Sequence, residues 1–346
     1  MRKILLTLAC VWLAACGSSG TVENAGVDSS KPLEIYWIDV EGGAATLIVT
    51  PTGETVLMDA GWPGNDDRDA KRIAHVLEHE VGRKELDYFI TSHFHIDHAG
   101  GAPGLAAMVP IDEFVDHGDS IEKNLNERAA LLWQNYREAA GTRLTVNPGD
   151  TLPVSGVDFQ FVSARGESIK SATAPANPYC EGAEQKEVTG NPENGQSVGF
   201  MVRMGDFEFL DLGDLTWPEE LAAVCPQNVF GQVDLFQVTH HGMFQSNAPA
   251  LLNAVAPQVA VMNNGANKGG DPLAYAALME TPRLVDLWQG HNTLNEGASN
   301  TDEAKIANLG ETEGCEGHWI KATVQADGSF TILNSRNGFS KSYQSL

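Results

Sequence analysis

The segment Ser92-His93-Phe94-His95-Ile96-Asp97-His98-Ala99-Gly100-Gly101 gathers three imidazoles and a carboxylate within six residues. His93 and His95 are two apart, so on an extended loop they point the same way, while Asp97 and His98 turn toward a neighbouring ion. Such donors suit Zn2+, with Mn2+ or iron as other ions that accept nitrogen and oxygen. Buried without a cation, these groups would be costly to desolvate. The apolar run from Leu86 to Thr91 reads as a buried strand that delivers the chain into the cluster.

Upstream of the cluster, Glu34 to Val40, Thr46 to Thr50 and Thr55 to Asp59 are β-rich runs broken by Gly-Gly and Pro-Thr-Gly turns, which predicts a meander. Arg68 to Val81 spaces Ile73, Val76, Leu77 and Val81 as an amphipathic helix. Downstream, Val109 to Asp116 reads as a strand, and Ser120 to Ala140 as a long helix with Ile121, Leu125, Leu132 and Tyr136 on one face. Strands are expected at Val157 to Ser163 and in a hairpin of Val198 to Met204 with Phe207 to Leu212. Helix and strand then alternate, and a second hairpin ends the chain, around Ala326-Asp327-Gly328-Ser329. The loop from Arg165 to Ser197 is too long for a routine connection and reads as a flap over the site. Two meanders followed by alternating elements predict an α/β chain with two sheets face to face and helices outside, a four-layer αββα sandwich.

Four further strings bear on chemistry: Leu57-Met58-Asp59-Ala60-Gly61, Gly213-Asp214 after the first hairpin, Ile38-Asp39-Val40-Glu41-Gly42-Gly43-Ala44, and Thr239-His240-His241-Gly242. With the 92–101 segment they resemble the metallo-β-lactamase superfamily. The last two are similar to the hydrolase domain of ComEC-type DNA-uptake proteins and to bacterial phosphorylcholine esterases. The resemblance implies a hydrolase that activates water on two divalent ions, zinc first. It implies His93 and His95 on one metal, Asp97 and His98 on the other, Asp214 between them, and His241 completing a site. His240 is the alternative ligand or a proton donor to the leaving group, Asp97 also orients the attacking water, Asp59 supports the ligands, and Asp211 points away into a hydrogen bond.

The chain departs from the pattern in two places. The superfamily commonly has another histidine between the first cluster and the bridging aspartate, and here that interval holds only His117, unusually early, either a ligand or substrate contact or an ordinary loop histidine. Where the ComEC-like group has Asn-x-Tyr-Gly-His-Pro, this chain has Asn267-Lys268-Gly269-Gly270-Asp271-Pro272, so Asp271 either ligates through oxygen or the position is lost. A separate string, His75-Val76-Leu77-Glu78-His79, fits an H-x-x-E-H metalloprotease pattern, but its charged amphipathic helix reads as solvated.

At the N-terminus Arg2 and Lys3 precede an apolar run, Ile4 to Leu13, too short to span a bilayer. It ends in Leu13-Ala14-Ala15-Cys16, which resembles a bacterial lipobox, so residues 1–16 are expected to be a lipoprotein signal, with Cys16 lipidated. Residues 17–32 read as a flexible tether and 33–346 as the hydrolase domain. The expected location is the cell envelope, on the periplasmic face of a membrane or the cell surface, with membrane contact through the lipid alone. Cys180, Cys225 and Cys315 show no C-x-x-C spacing, and in an oxidising compartment two of them pair, Cys180 with one of the others.

Losing Arg2 and Lys3 with the signal leaves 20 basic side chains against 46 acidic ones, a net charge of −26. That surface repels polyanions, which argues against a nucleic-acid partner. With a carboxylate rather than a thiolate at Asp214, the expected substrate is a small or lipid-linked phosphoester. A lactone or other carboxylic ester, or a non-catalytic metal-binding envelope protein, are the alternatives.

Overall fold

The computed structural model describes residues 31–190, 192–311 and 314–345. The lipobox with Cys16, and the tether up to residue 30, lie outside the described residues. Strand Leu33–Trp37 sits inside a nine-stranded sheet. On one side it pairs with the antiparallel meander Thr46–Val49 and Thr55–Met58, beyond which Leu86–Ile90, Ile111–Asp116 and Arg143–Thr145 run parallel. On its other side the chain end returns: Ile320–Val324 pairs in register from Leu33↔Val324 to Trp37↔Ile320, followed by Ser329–Asn334 and Ser340–Gln344. A second sheet of eight strands centres on four parallel ones, Phe207–Asp211, Leu235–Gln237, Val259–Met262 and Asp286–His291.

The two sheets bury a shared layer of Trp37, Phe159, Phe161, Phe200, Phe209, Trp288 and Phe330. Helices cover both outer faces. Ile73, Leu77, Leu105 and Tyr136 pack under the first sheet, and Trp217, Leu221, Leu251 and Leu278 under the second. The expected four-layer αββα sandwich is the fold.

The amphipathic helix is shorter than its pattern, Arg68–Val76 followed by a wider π turn over Leu77–Val81. The helix expected from Ser120 begins at Glu127, where the Asn126 side chain accepts from Ala129 N and supplies the cap. Residues before it are drawn into turns because the Glu193 carboxylate accepts from Ser120 Oγ and Ile121 N, and Ile121 and Leu125 stay exposed. Apolar spacing alone extended that helix too far. The edge strands Arg143–Thr145, Ile306–Asn308 and Ser340–Gln344 are too short or too polar to have announced themselves. Cys180 pairs with Cys225, fixing the middle of the 165–197 segment against helix Trp217–Val224, while Cys315 is free. Among the described residues no helix is long and apolar enough to cross a membrane.

Helix Trp217–Val224 also holds the loop after His241. The buried Glu220 carboxylate accepts from Asn247 N at 2.9 Å and Ala248 N at 2.7 Å. Burial raises its pKa from 4.5 to about 7 despite these bonds. In that window the folded chain keeps a proton that the unfolded chain releases, so stability falls as pH rises, by roughly 3 kcal/mol in all, and is level above. Glu220→Gln should remove this component. Urea unfolding of both chains at about pH 5 and about pH 8 is expected to show a smaller loss for the variant.

Candidate metal centre

All the expected ligands follow the C-terminal ends of parallel strands, where loops of both sheets converge on one rim of the sandwich. Asp59 follows Thr55–Met58, the histidine string follows Leu86–Ile90, Asp214 follows Phe207–Asp211, and His240 and His241 follow Leu235–Gln237. Four buried groups meet there: Asp97, His98, Asp214 and His241. His98 Nε2 lies 3.1 Å from His241 Nε2, 3.2 Å from Asp97 Oδ2 and 3.1 Å from Asp214 Oδ2. His241 Nε2 is 3.4 Å from each of the same two oxygens.

These separations test whether an ion fits. A tetrahedron with metal–ligand bonds of about 2.0–2.1 Å has edges of about 3.3–3.4 Å, which matches the cage. Asp59 Oδ2 accepts from His98 Nδ1 at 2.7 Å, so His98 Nε2 points inward. Two imidazole nitrogens aimed at each other between two carboxylates satisfy nothing without a positive charge. Burial opposes charge on His98, but Asp214, Asp97 and Asp59 outweigh it and hold its pKa well above the ordinary value, so a proton serves where a cation would.

A looser group lies on the other side of Asp214. His93 Nε2 is 3.0 Å from His95 Nδ1 and 3.9 Å from Asp214 Oδ2. Ser92 Oγ donates to Asp59 Oδ2 at 2.6 Å and therefore accepts from His93 Nδ1 at 3.0 Å, which leaves the His93 Nε2 lone pair facing the site. His240 Nε2 approaches Asp214 Oδ2 at 3.5 Å. Its Nδ1 lies 3.0 Å from Ser246 Oγ, and because Ser246 donates to Leu215 O, the His240 proton sits on Nδ1. Burial lowers the His240 pKa to about 4. Of the two roles expected for His240, the geometry favours ligand over proton donor.

His240 and His241 adopt left-handed φ of 54° and 53°, a conformation costing about 1–3 kcal/mol each for such residues. The turn is held by His240 N on Gly213 O and by Gly270 N on His241 O. A Cβ on Gly269 would stand 2.1 Å from His241 O, so only glycine lets that strand of backbone close on the histidine turn.

The remaining candidates lie apart. His117 Nε2 contacts Glu193 Oε1 at 2.8 Å, and its ring packs on Phe94. Asp271 Oδ2 accepts from Phe244 N at 2.9 Å and caps the loop rather than joining the cluster. Asp211 Oδ1 accepts from Gly213 N, and burial raises its pKa to about 7. His75 and His79 are exposed on their helix.

Several site residues were not legible in advance. Lys268 pairs with Asp97 and lies 5.1 Å from the Trp62 ring. Glu122 approaches His95 Nε2 at 3.5 Å. Glu193 and Asn194 bring the 165–197 segment over the centre, with Asn194 Nδ2 3.4 Å from His240 Nε2. A lysine within the Asn267–Pro272 string was the one available signal.

A family model of the metallo-beta-lactamase superfamily matches residues 38–166, which contain the strand, the histidine string and Asp59. Over those residues the chain is similar to the metallo-beta-lactamase superfamily. Recombination protein 2 of Haemophilus influenzae is a distant relative, 28% identical over 239 residues, 68% of this chain and 25% of that protein. The chain thus spans a quarter of that relative's length. A metal-dependent hydrolase of Anaeromyxobacter dehalogenans is 25% identical over 224 residues, 64% of this chain and 69% of that one. The solved metallo-beta-lactamase fold protein YhfI of Bacillus subtilis aligns with a TM-score of 0.44 at 12% identity, covering 75% of this chain and 96% of YhfI.

Asp59 fixes both Ser92 and His98, so its loss should loosen the cage without removing a ligand. Asp59→Ala is expected to weaken metal affinity about 10–100-fold, read by competition with a chromophoric chelator. Unchanged affinity would mean that His98 is oriented by something else.

Proposed function

We propose that this chain is a metallo-hydrolase of the metallo-β-lactamase superfamily that hydrolyses phosphoesters, with small or lipid-linked phosphodiesters as the first class. Asp97, His98, His241 and Asp214 would hold one divalent ion, and His93, His95, His240 and the shared Asp214 a second, zinc before Mn2+ or iron. When bound, such ions supply Lewis acidity to a substrate oxygen and acidify water. The chain's own residues do the rest. Asp59 and Ser92 fix the ring orientations of His98 and His93, and Ser246 does the same for His240, so that Nδ1 of each ring donates outward and Nε2 faces the place a cation would take. Glu193 and Asn194 narrow access of water from the flap side.

The observation that carries the phosphoester reading is Lys268. Its ammonium lies at the mouth, against Asp97 and beside Trp62, and is partly exposed. An ester with an anionic oxygen meets a counter-charge there, within a surface that is otherwise strongly acidic. A neutral lactone gains nothing from it.

Turnover of bis-p-nitrophenyl phosphate, a lactone and nitrocefin by the metal-loaded chain tests the reading. Phosphodiester cleavage is expected, lost in Asp214→Ala. Lys268→Met should raise KM for the phosphodiester about tenfold or more while sparing any lactone turnover. Preference for the lactone with no effect at Lys268 would replace the phosphoester reading with a carboxylic-ester one, and no turnover of any ester would leave a metal-binding envelope protein.

We further propose a lipid anchor at Cys16 that places the enzyme on a membrane of the cell envelope, supported by the charged, short apolar leader and its Leu-Ala-Ala-Cys end. Labelled fatty acid should enter the expressed chain and be absent from Cys16→Ala. Equal labelling of the two would remove the anchor.

A further inference from the structure

A second cluster of metal-ligating side chains lies behind the centre, built from Asp39, Glu41, His291 and Cys315. Asp39 and Glu41 follow the first strand, His291 ends strand Asp286–His291, and Cys315 comes from the segment before the last hairpin. One ligand atom from each lies within 4.8 Å of the others. His291 Nε2 is 2.6 Å from Asp39 Oδ1 and 3.8 Å from Glu41 Oε2, and Cys315 Sγ is 3.3 Å from Asp39 Oδ2.

Two observations separate this from an ordinary ion-pair network. Of the carboxylate oxygens Arg72 takes Asp39 Oδ2 at 2.7 Å and Glu41 Oε1 at 3.2 Å, and it also donates to the backbone carbonyls of Asp39 and Cys315. Glu41 is nine-tenths buried, and its inner oxygen Oε2 has no hydrogen-bond partner although it faces His291. An unpartnered buried carboxylate oxygen is costly to leave without a counter-charge. One oxygen each of Asp39 and Glu41, a ring nitrogen of His291 and Cys315 Sγ therefore offer three hard or borderline donors and one sulfur.

We propose that this cluster is a third metal site, a closed structural Zn2+ site with four protein ligands. A thiolate and an imidazole select zinc over calcium or magnesium, and a full set of side chains leaves no open position for catalysis. Binding displaces the Cys315 thiol proton to solvent, and the His291 ring proton moves from Nε2 to Nδ1, so one proton leaves per ion. The dication, two carboxylates, one thiolate and the Arg72 guanidinium together are neutral. Without the ion, burial pushes the Cys315 thiol up to about 12 and leaves it protonated.

The site bears on the catalytic rim through the strap between Glu41 and Ala44. Ala44 N donates to Asp97 O at 3.1 Å, and a Cβ on Gly43 would stand 2.4 Å from that oxygen. An ion on Asp39 and Glu41 anchors the strap against which the Asp97 loop rests.

Cobalt replacement isolates this site, because none of the ligands assigned to the catalytic pair is a sulfur. The full chain loaded with Co2+ is expected to show thiolate-to-cobalt charge-transfer absorption in the near ultraviolet, retained in Asp214→Ala and lost in Cys315→Ser. Elemental analysis after zinc loading should give three ions per wild-type chain and two for Cys315→Ser. Absence of the charge-transfer band from the wild type overturns the proposal, even if Cys315→Ser fails to fold. So does a band or an ion count that Cys315→Ser leaves unchanged. Esterase failure with the band present would remove the catalytic reading alone.

Discussion

Buried negative charge at the junction of two sheets is the constraint on which the rest of this structure depends. Asp59, Asp97 and Asp214 are nearly inaccessible to water, and each faces an imidazole. Desolvating carboxylates at this density is tolerable only with a cation among them or a proton on a ring. The hydrogen bonds that Ser92 and Ser246 accept from His93 and His240 steer those rings so that their Nε2 atoms converge on Asp214, and this convergence marks the rim as a place for metal.

The fold supplies that rim because parallel strands of both sheets end on it. A strand terminus must release the chain into a loop, and here four strands release theirs toward one point. Local strain accompanies the convergence. Asp59, His240 and His241 all have positive φ, and the surrounding backbone holds them there through Ile90, Gly213 and the Gly269-Gly270 approach. Packing of Trp37, Phe161, Phe209 and Trp288 between the sheets provides the rigidity against which such conformations persist.

The same strap links the two clusters. Asp39 and Glu41 engage Arg72 and His291, and two residues later the backbone meets Asp97. Charge compensation in the rear cluster and ligand placement in the front one are thus connected through a few residues of close-packed glycine backbone.

The sequence by itself determined the fold class, the histidine string and the identity of Asp59 as its support, because local periodicity and a compact ligand motif are properties of neighbouring residues. It overran the helix at Ser120, since apolar spacing continued while Glu193, more than seventy residues away, drew that stretch into turns. Only the tertiary structure decided that His240 turns its lone pair toward Asp214, that Asp271 caps a loop, that Lys268 meets Asp97, and that Cys180 pairs with Cys225. Each of these depends on two segments distant in the chain reaching a common point, and no pattern of adjacent side chains encodes that distance.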